Sequence, residues 1–187
     1  MKRHLTSPLA RCCILAAISI QGCTSVSRPA TGSGTGSSSV NVYFSPKGGA
    51  TAAVVKEIDG ARYEVLMLAD AFPSKPITQA VVNARKRGVN VQVVLDRSQR
   101  NEKNTDADFL THSHIPMYID SRHAVAHNKV IVIDSSTLIT GSFSFTRAAE
   151  ENNAENLLVI KGRKTLVGQY IENFELHKAH SEVYKGR

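Results

Sequence analysis

The sequence predicts an α/β protein, a mixed β-sheet sandwiched between helices. Three observations carry that expectation. A strand–helix–strand pattern occupies Tyr63 to Leu95. The run Lys129–Ile133 is apolar on both faces, as a strand inside a covered sheet must be. Near the C-terminus, Thr165–His180 repeats apolar residues at helical spacing, with Leu166, Tyr170, Ile171, Phe174 and Leu176 expected toward the core.

The elements can be assigned in order. The chain has 187 residues, enough for one domain behind a processed N-terminus. Lys2, Arg3 and Arg11 precede or flank a short apolar run, Cys12–Ile20, too short to span a bilayer. Residues 1–22 therefore read as a signal peptide. Ile20-Gln21-Gly22-Cys23 resembles a bacterial lipobox, with Gln21 bulkier than that pattern prefers. Cleavage before Cys23 would leave one thiol in the exported chain, which lipidation of Cys23 explains. The competing reading is ordinary cleavage and a soluble periplasmic protein. Either way the expectation is an exported protein, periplasmic or held at a membrane of the bacterial envelope by a lipid anchor. Residues 23–39 are poor in apolar residues and read as a flexible linker. Their Gly32-x-Gly34-x-Gly36 lacks the flanking strand and helix of a phosphate loop.

Residues 40–187 form the expected catalytic domain. Val40–Phe44 alternates as a strand, and Ala50–Ile58 suits a helix. Tyr63–Leu68 is a buried strand, Ile77–Lys86 a helix ending in basic residues before Gly88, and Val89–Leu95 a second strand. A polar loop, a short helix around Ala107–Thr111 and a strand near Pro116–Ile119 follow. After Lys129–Ile133 and the turn Asp134-Ser135-Ser136 come strands Thr137–Phe145 and Asn156–Ile160.

The chemistry-bearing stretch is His127-Asn128-Lys129, Asp134, and Gly141-Ser142-Phe143-Ser144. Side chains two apart on a strand share a face, so His127 and Lys129 point together, as do Ser142 and Ser144 on the expected neighbouring strand. A nucleophile, a fixed cation and hydroxyl donors at one end of a sheet suit attack on phosphorus.

The spacing His127-x-Lys129-x4-Asp134-x6-Gly141-Ser142 resembles the signature of the phospholipase D superfamily, and Val40 to His180 resembles its small bacterial endonuclease branch. The resemblance implies a phospholipase D/nuclease-like fold and metal-independent phosphodiester cleavage. It implies that His127 forms a covalent phosphohistidine, Lys129 binds phosphate, Ser142 bonds the substrate or orients the site, and Glu155 holds the imidazole in its useful tautomer. Asp134 belongs to the catalytic signature but falls in a turn, where it is expected to fix backbone. Ser144 stands where the branch has Asn, offering one donor instead of two. Glu150 and Glu151 are rivals for the role of Glu155, and a plain surface acid is the alternative to all three.

With one motif per chain, a symmetric homodimer would place two copies of His127 across one phosphate, one neutral and one protonated. No cofactor is expected. Nor is a metal: His112, His114 and His123 match no tight ligand spacing and read as loop histidines, His123 at most lining the cleft rim. His177 and His180 read as a surface face. Net charge is +7 and falls to +4 when residues 1–22 leave with Lys2, Arg3 and Arg11. That mild excess favours polyanions. The run Arg85-Lys86-Arg87 reads as a helix terminus, with a DNA-contacting patch as the alternative. The expected substrate is nucleic acid, with phospholipid as the alternative and a weakly catalytic polyanion-binding lipoprotein as a third reading.

Overall fold

The computed structural model describes residues 38–71, 74–100 and 106–186. The expected signal peptide, Cys23 and nearly all of the expected linker lie outside the described residues, as does part of the loop after Asp96. One eight-stranded sheet runs in the order β1-β7-β6-β5-β2-β3-β4-β8. Its strands are β1 (Ser39–Ser45), β2 (Glu64–Ala69), β3 (Asn90–Asp96), β4 (Met117–Asp120), β5 (Lys129–Ile133), β6 (Thr137–Gly141), β7 (Glu155–Lys161) and β8 (Glu182–Tyr184). The helices are α1 (Ala50–Asp59), α2 (Lys75–Lys86), α3 (Asp106–His112), α4 (Arg147–Glu151) and α5 (Lys164–Ala179). Pairings β2–β3 and β3–β4 are parallel, and the others are antiparallel.

Alternation along the strands builds two apolar layers. Val65, Met67, Ile131, Ile133, Val93 and Leu95 join the α1 and α2 side. Leu66, Leu68, Val94, Val130 and Val132 join Val167 and Phe174 of α5 on the other. Every residue of β5 is buried, because both layers cover it. α2 begins with a proline in its first turn and ends in a Schellman closure, Gly88 N–H to Arg85 C=O and Val89 N–H to Ala84 C=O. Gly88 has φ 91, which its lack of a Cβ permits. Arg87 donates to the Ile58 carbonyl at 2.9 Å, so this cation ties α2 to the end of α1.

Three expectations need correction. Strand β6 stops at Gly141 and does not reach Phe145. The in–out alternation nevertheless persists past its end, with Phe143 and Phe145 fully buried and Ser142 and Ser144 outside. Leu176 is 66% exposed, since α5 presents Val167 and Phe174 to the sheet and position 176 falls on the far side. His177 and His180 are not a solvated face. Their side chains are 13% and 20% exposed and turn toward Asp120, as does that of His123. Helix α4 and strand β8 had no legible signal at so short a length.

Register gathers the reactive positions at one end of the sheet. Ala69 pairs with Lys129, Gly141 with Leu157, Ser45 with Glu155, and Asp96 with Asp120. The ends of β2, β3 and β4, the starts of β5 and β7, and the exit of β6 therefore lie along one rim.

Candidate active site

Lys129 opens β5 with its side chain 6% exposed, while the His127 side chain is 69% exposed just before the strand. Asp70, one residue beyond β2, joins them. Its Oδ2 lies 3.1 Å from His127 Nε2 and 2.8 Å from Lys129 Nζ. Lys129 Nζ also donates to the His127 carbonyl at 3.3 Å. An ammonium has three N–H donors, so with two engaged among the described residues one remains for an incoming anion. Asp70 Oδ1 is buried without a hydrogen bond among the described residues. Sequence reasoning missed Asp70. Its signal was available: a carboxylate at the end of an apolar strand, next to the strand that carries the motif.

Ser142 is exposed at the exit of β6. Its Oγ accepts from Asn156 N at 3.0 Å and Asn156 Nδ2 at 3.3 Å. Both lone pairs are thus used, which leaves the Ser142 O–H free to donate to a phosphate oxygen. Gly141 makes this possible. A Cβ there would meet the Asn156 carbonyl oxygen at 2.2 Å. Phe143 and Phe145, edge-to-face at 6.1 Å, anchor the segment in the core. Ser144 is half-buried.

The acids sort clearly. Glu150 accepts the amides of Gly49 and Thr51 at the start of α1, where a carboxylate suits the helix dipole. Glu151 pairs with Arg147 at 2.9 Å. Glu155 is half-buried and accepts from Asn153 Nδ2 at 3.3 Å. The carboxylate found against the imidazole is that of Asp70, not Glu155. Asp134 lies apart from His127 and Lys129. It sits at the far end of β5 from Lys129 and accepts the amides of Arg62, Tyr63 and Glu64 at 2.9, 2.8 and 3.0 Å.

A second acid works behind the site. Asp96 Oδ2 accepts the Ala126 amide at 2.6 Å, and Oδ1 accepts that of Ser98 at 2.8 Å. This pins the chain one residue before His127. Burial would raise the Asp96 carboxyl, but the Ala126 and Ser98 amides, the Ser98 hydroxyl and Arg97 hold it below its ordinary value.

The arrangement presents an exposed imidazole, a buried cation with a donor to spare and a free hydroxyl. That set can attack a phosphodiester and stabilise charge on its non-bridging oxygens.

Comparison with known proteins agrees. Residues 54–178 match the family model described as cardiolipin synthase, PLD-like domain. A "Phospholipase D" of Rickettsia felis is 40% identical over 142 residues, 76% of this chain and 70% of the relative. That of Rickettsia prowazekii is 40% identical over 146 residues, 78% and 71%. The crystal structure of a phospholipase D family member, Nuc from Salmonella typhimurium, superposes with a TM-score of 0.77 at 36% identity, covering 80% of this chain and 100% of that one. NucT from Helicobacter pylori shares the fold, with a TM-score of 0.73 at 19% identity over 79% of this chain and 100% of that one. Motif, sheet and relatives converge, and the chain belongs to the phospholipase D superfamily, in its Nuc-like branch, as a phosphodiesterase.

Proposed function

We propose that this protein is an exported, homodimeric nuclease that cleaves phosphodiester bonds through a covalent phosphohistidine on His127, without a metal in the reaction path. The observation that carries the reading is the 69% exposed imidazole beside a nearly buried lysine. An open rim admits a polymer backbone more readily than an enclosed pocket would.

In the proposed reaction a ring nitrogen of His127 attacks phosphorus and the P–O bond to the leaving oxygen breaks. The partner's His127 gives that oxygen a proton, then takes one from the water that hydrolyses the P–N bond. Acid assistance of this kind contributes about 10²–10⁴ in rate. Lys129 and the Ser142 hydroxyl hold the non-bridging oxygens. An exposed apolar stripe on edge strand β1, Val40, Val42 and Phe44, supports the dimer. It runs toward the rim, since Phe44 pairs with Asn156, so a second copy covering it would sit near the site. Lipidation of Cys23 would tether the enzyme at a membrane, and an acylated N-terminal cysteine in the mass spectrum tests that step.

The second reading, a phospholipase D, is favoured by the name of the Rickettsia relatives. The test presents the purified protein with plasmid DNA and with phospholipid vesicles, EDTA being present during each assay. DNA cleavage, lost in His127→Ala, is the expected result. Headgroup release without DNA cleavage would establish the second reading. Retention of DNA with no turnover of either substrate would refute both and leave a polyanion-binding protein.

A further inference from the structure

We infer that Asp120, His123, His177 and His180 form a zinc site that staples the C-terminal helix to the loop leading into His127. Asp120 ends β4 and is fully buried. His123 follows in the next loop, His177 lies in the last turn of α5, and His180 directly follows that helix. Asp120 Oδ2 is 2.9 Å from His123 Nδ1, 2.7 Å from His177 Nδ1 and 3.1 Å from His180 Nε2. Its Oδ1 accepts the Arg122 amide at 3.0 Å, which turns Oδ2 toward the rings.

Hydrogen bonding alone accounts poorly for this set. A carboxylate oxygen has two lone-pair sites, and three ring nitrogens approach it. His180 Nε2 is buried and, despite its 3.1 Å distance, makes no hydrogen bond of acceptable angle among the described residues. The rings stand around a common point, with centroids 5.0, 5.2 and 5.5 Å apart and planes tilted by 42–59°. Converging lone pairs of this kind call for a cation at their centre.

The geometry suits zinc. All four ligand atoms lie within 4.8 Å of one another. Zn–N and Zn–O bonds of roughly 2.0–2.1 Å in a tetrahedron need ligand atoms about 3.3 Å apart. On binding, the nitrogen-to-Oδ2 separations of 2.9, 2.7 and 3.1 Å would widen by about 0.2–0.6 Å, and separations as wide as 4.8 Å would close by about 1.5 Å through small rotations of the rings. Imidazole and carboxylate are ordinary zinc donors, and four protein ligands close the coordination sphere, as in structural sites. The ligands come as Asp120-x-x-His123 and His177-x-x-His180, each pair three residues apart. The ion lies outside the reaction path. It fixes the loop whose next anchor is the Asp96–Ala126 bond, and it locks the end of α5 where β8 returns to pair with β4.

The test measures metal in the purified full chain without substrate, so its outcome is independent of whether the enzyme cleaves DNA. About one zinc per chain is expected by elemental analysis. Cobalt exchanged into the stripped protein should give the intense visible bands of a four-coordinate ion. Prolonged chelation should lower the melting temperature, and zinc should restore it. His177→Ala and His180→Ala should lose the bound equivalent. If those variants fail to fold, His123→Gln, whose side chain is 47% exposed, should fold and lose zinc to a competing chelator that the parent withstands. A parent chain that takes up neither zinc nor cobalt would overturn the inference. So would folded variants that keep the full equivalent.

Discussion

Replacing Asp70 by Asn keeps the volume at the rim and removes one charge. Asp70 Oδ2 is shared by His127 Nε2 and Lys129 Nζ, and the lysine side chain is only 6% exposed. Breaking a fully buried ion pair costs about 3–5 kcal/mol. Here the imidazole is largely solvated and the amide retains one acceptor, so the penalty should approach that of a single charge-assisted hydrogen bond, about 2 kcal/mol. If that energy is lost from the positioning of the reacting groups, kcat should fall about thirtyfold, at about 1.36 kcal/mol per decade. KM should change less. Single-turnover cleavage of a defined phosphodiester, with circular dichroism as the check on folding, reads this directly. Glu155→Gln in the same assay should cost less, because the Glu155 hydrogen bond found here comes from Asn153. A folded Asp70→Asn variant with unchanged or higher kcat would refute the reasoning. The carboxylate would then compete with substrate phosphate for Lys129.

Further outcomes follow from the same geometry. Ser144→Asn adds a donor at a half-buried position beside the rim and should raise turnover several-fold, read as initial rate on the same substrate. Asp96→Asn should destabilise the protein by about 2 kcal/mol near neutral pH, measured by urea unfolding. The folded Asp96 carboxyl lies below its ordinary value of 3.8, so its contribution is complete above that value and disappears as pH falls through the folded one. The gap between parent and variant should therefore close in acid. A gap that is constant with pH would mean that shape, not charge, carries the effect.

The sheet was legible because burial on both faces leaves an unbroken apolar run, as in Lys129–Ile133, and because β2, α2 and β3 follow one another with clear periods. His127 and Lys129 were legible through spacing. The Ser142 turn was legible only in part. The alternation of Phe143 and Phe145 imitates a strand, while the close approach of Asn156 to Gly141 that ends β6 is a tertiary event. Asp70 and Asp120 escaped notice for a shared reason. Each is a lone acid at a strand terminus, and all the partners of Asp70 and two of the three of Asp120 lie far along the chain, 57 and 59 residues on for Asp70 at His127 and Lys129, and 57 and 60 for Asp120 at His177 and His180. Local patterns carry no trace of such meetings. Only folding brings Asp120 and His123 together with His177 and His180.

The turn at Asp134 makes the four-residue spacer after Lys129 a length gauge. Three amides of the neighbouring chain clamp that carboxylate, so the strand is indexed from its remote end. Inserting or deleting one residue within Val130–Ile133 would swing the ammonium to the opposite side of the sheet. A two-residue change would restore its side but displace it by about 7 Å along the strand, out of reach of the imidazole.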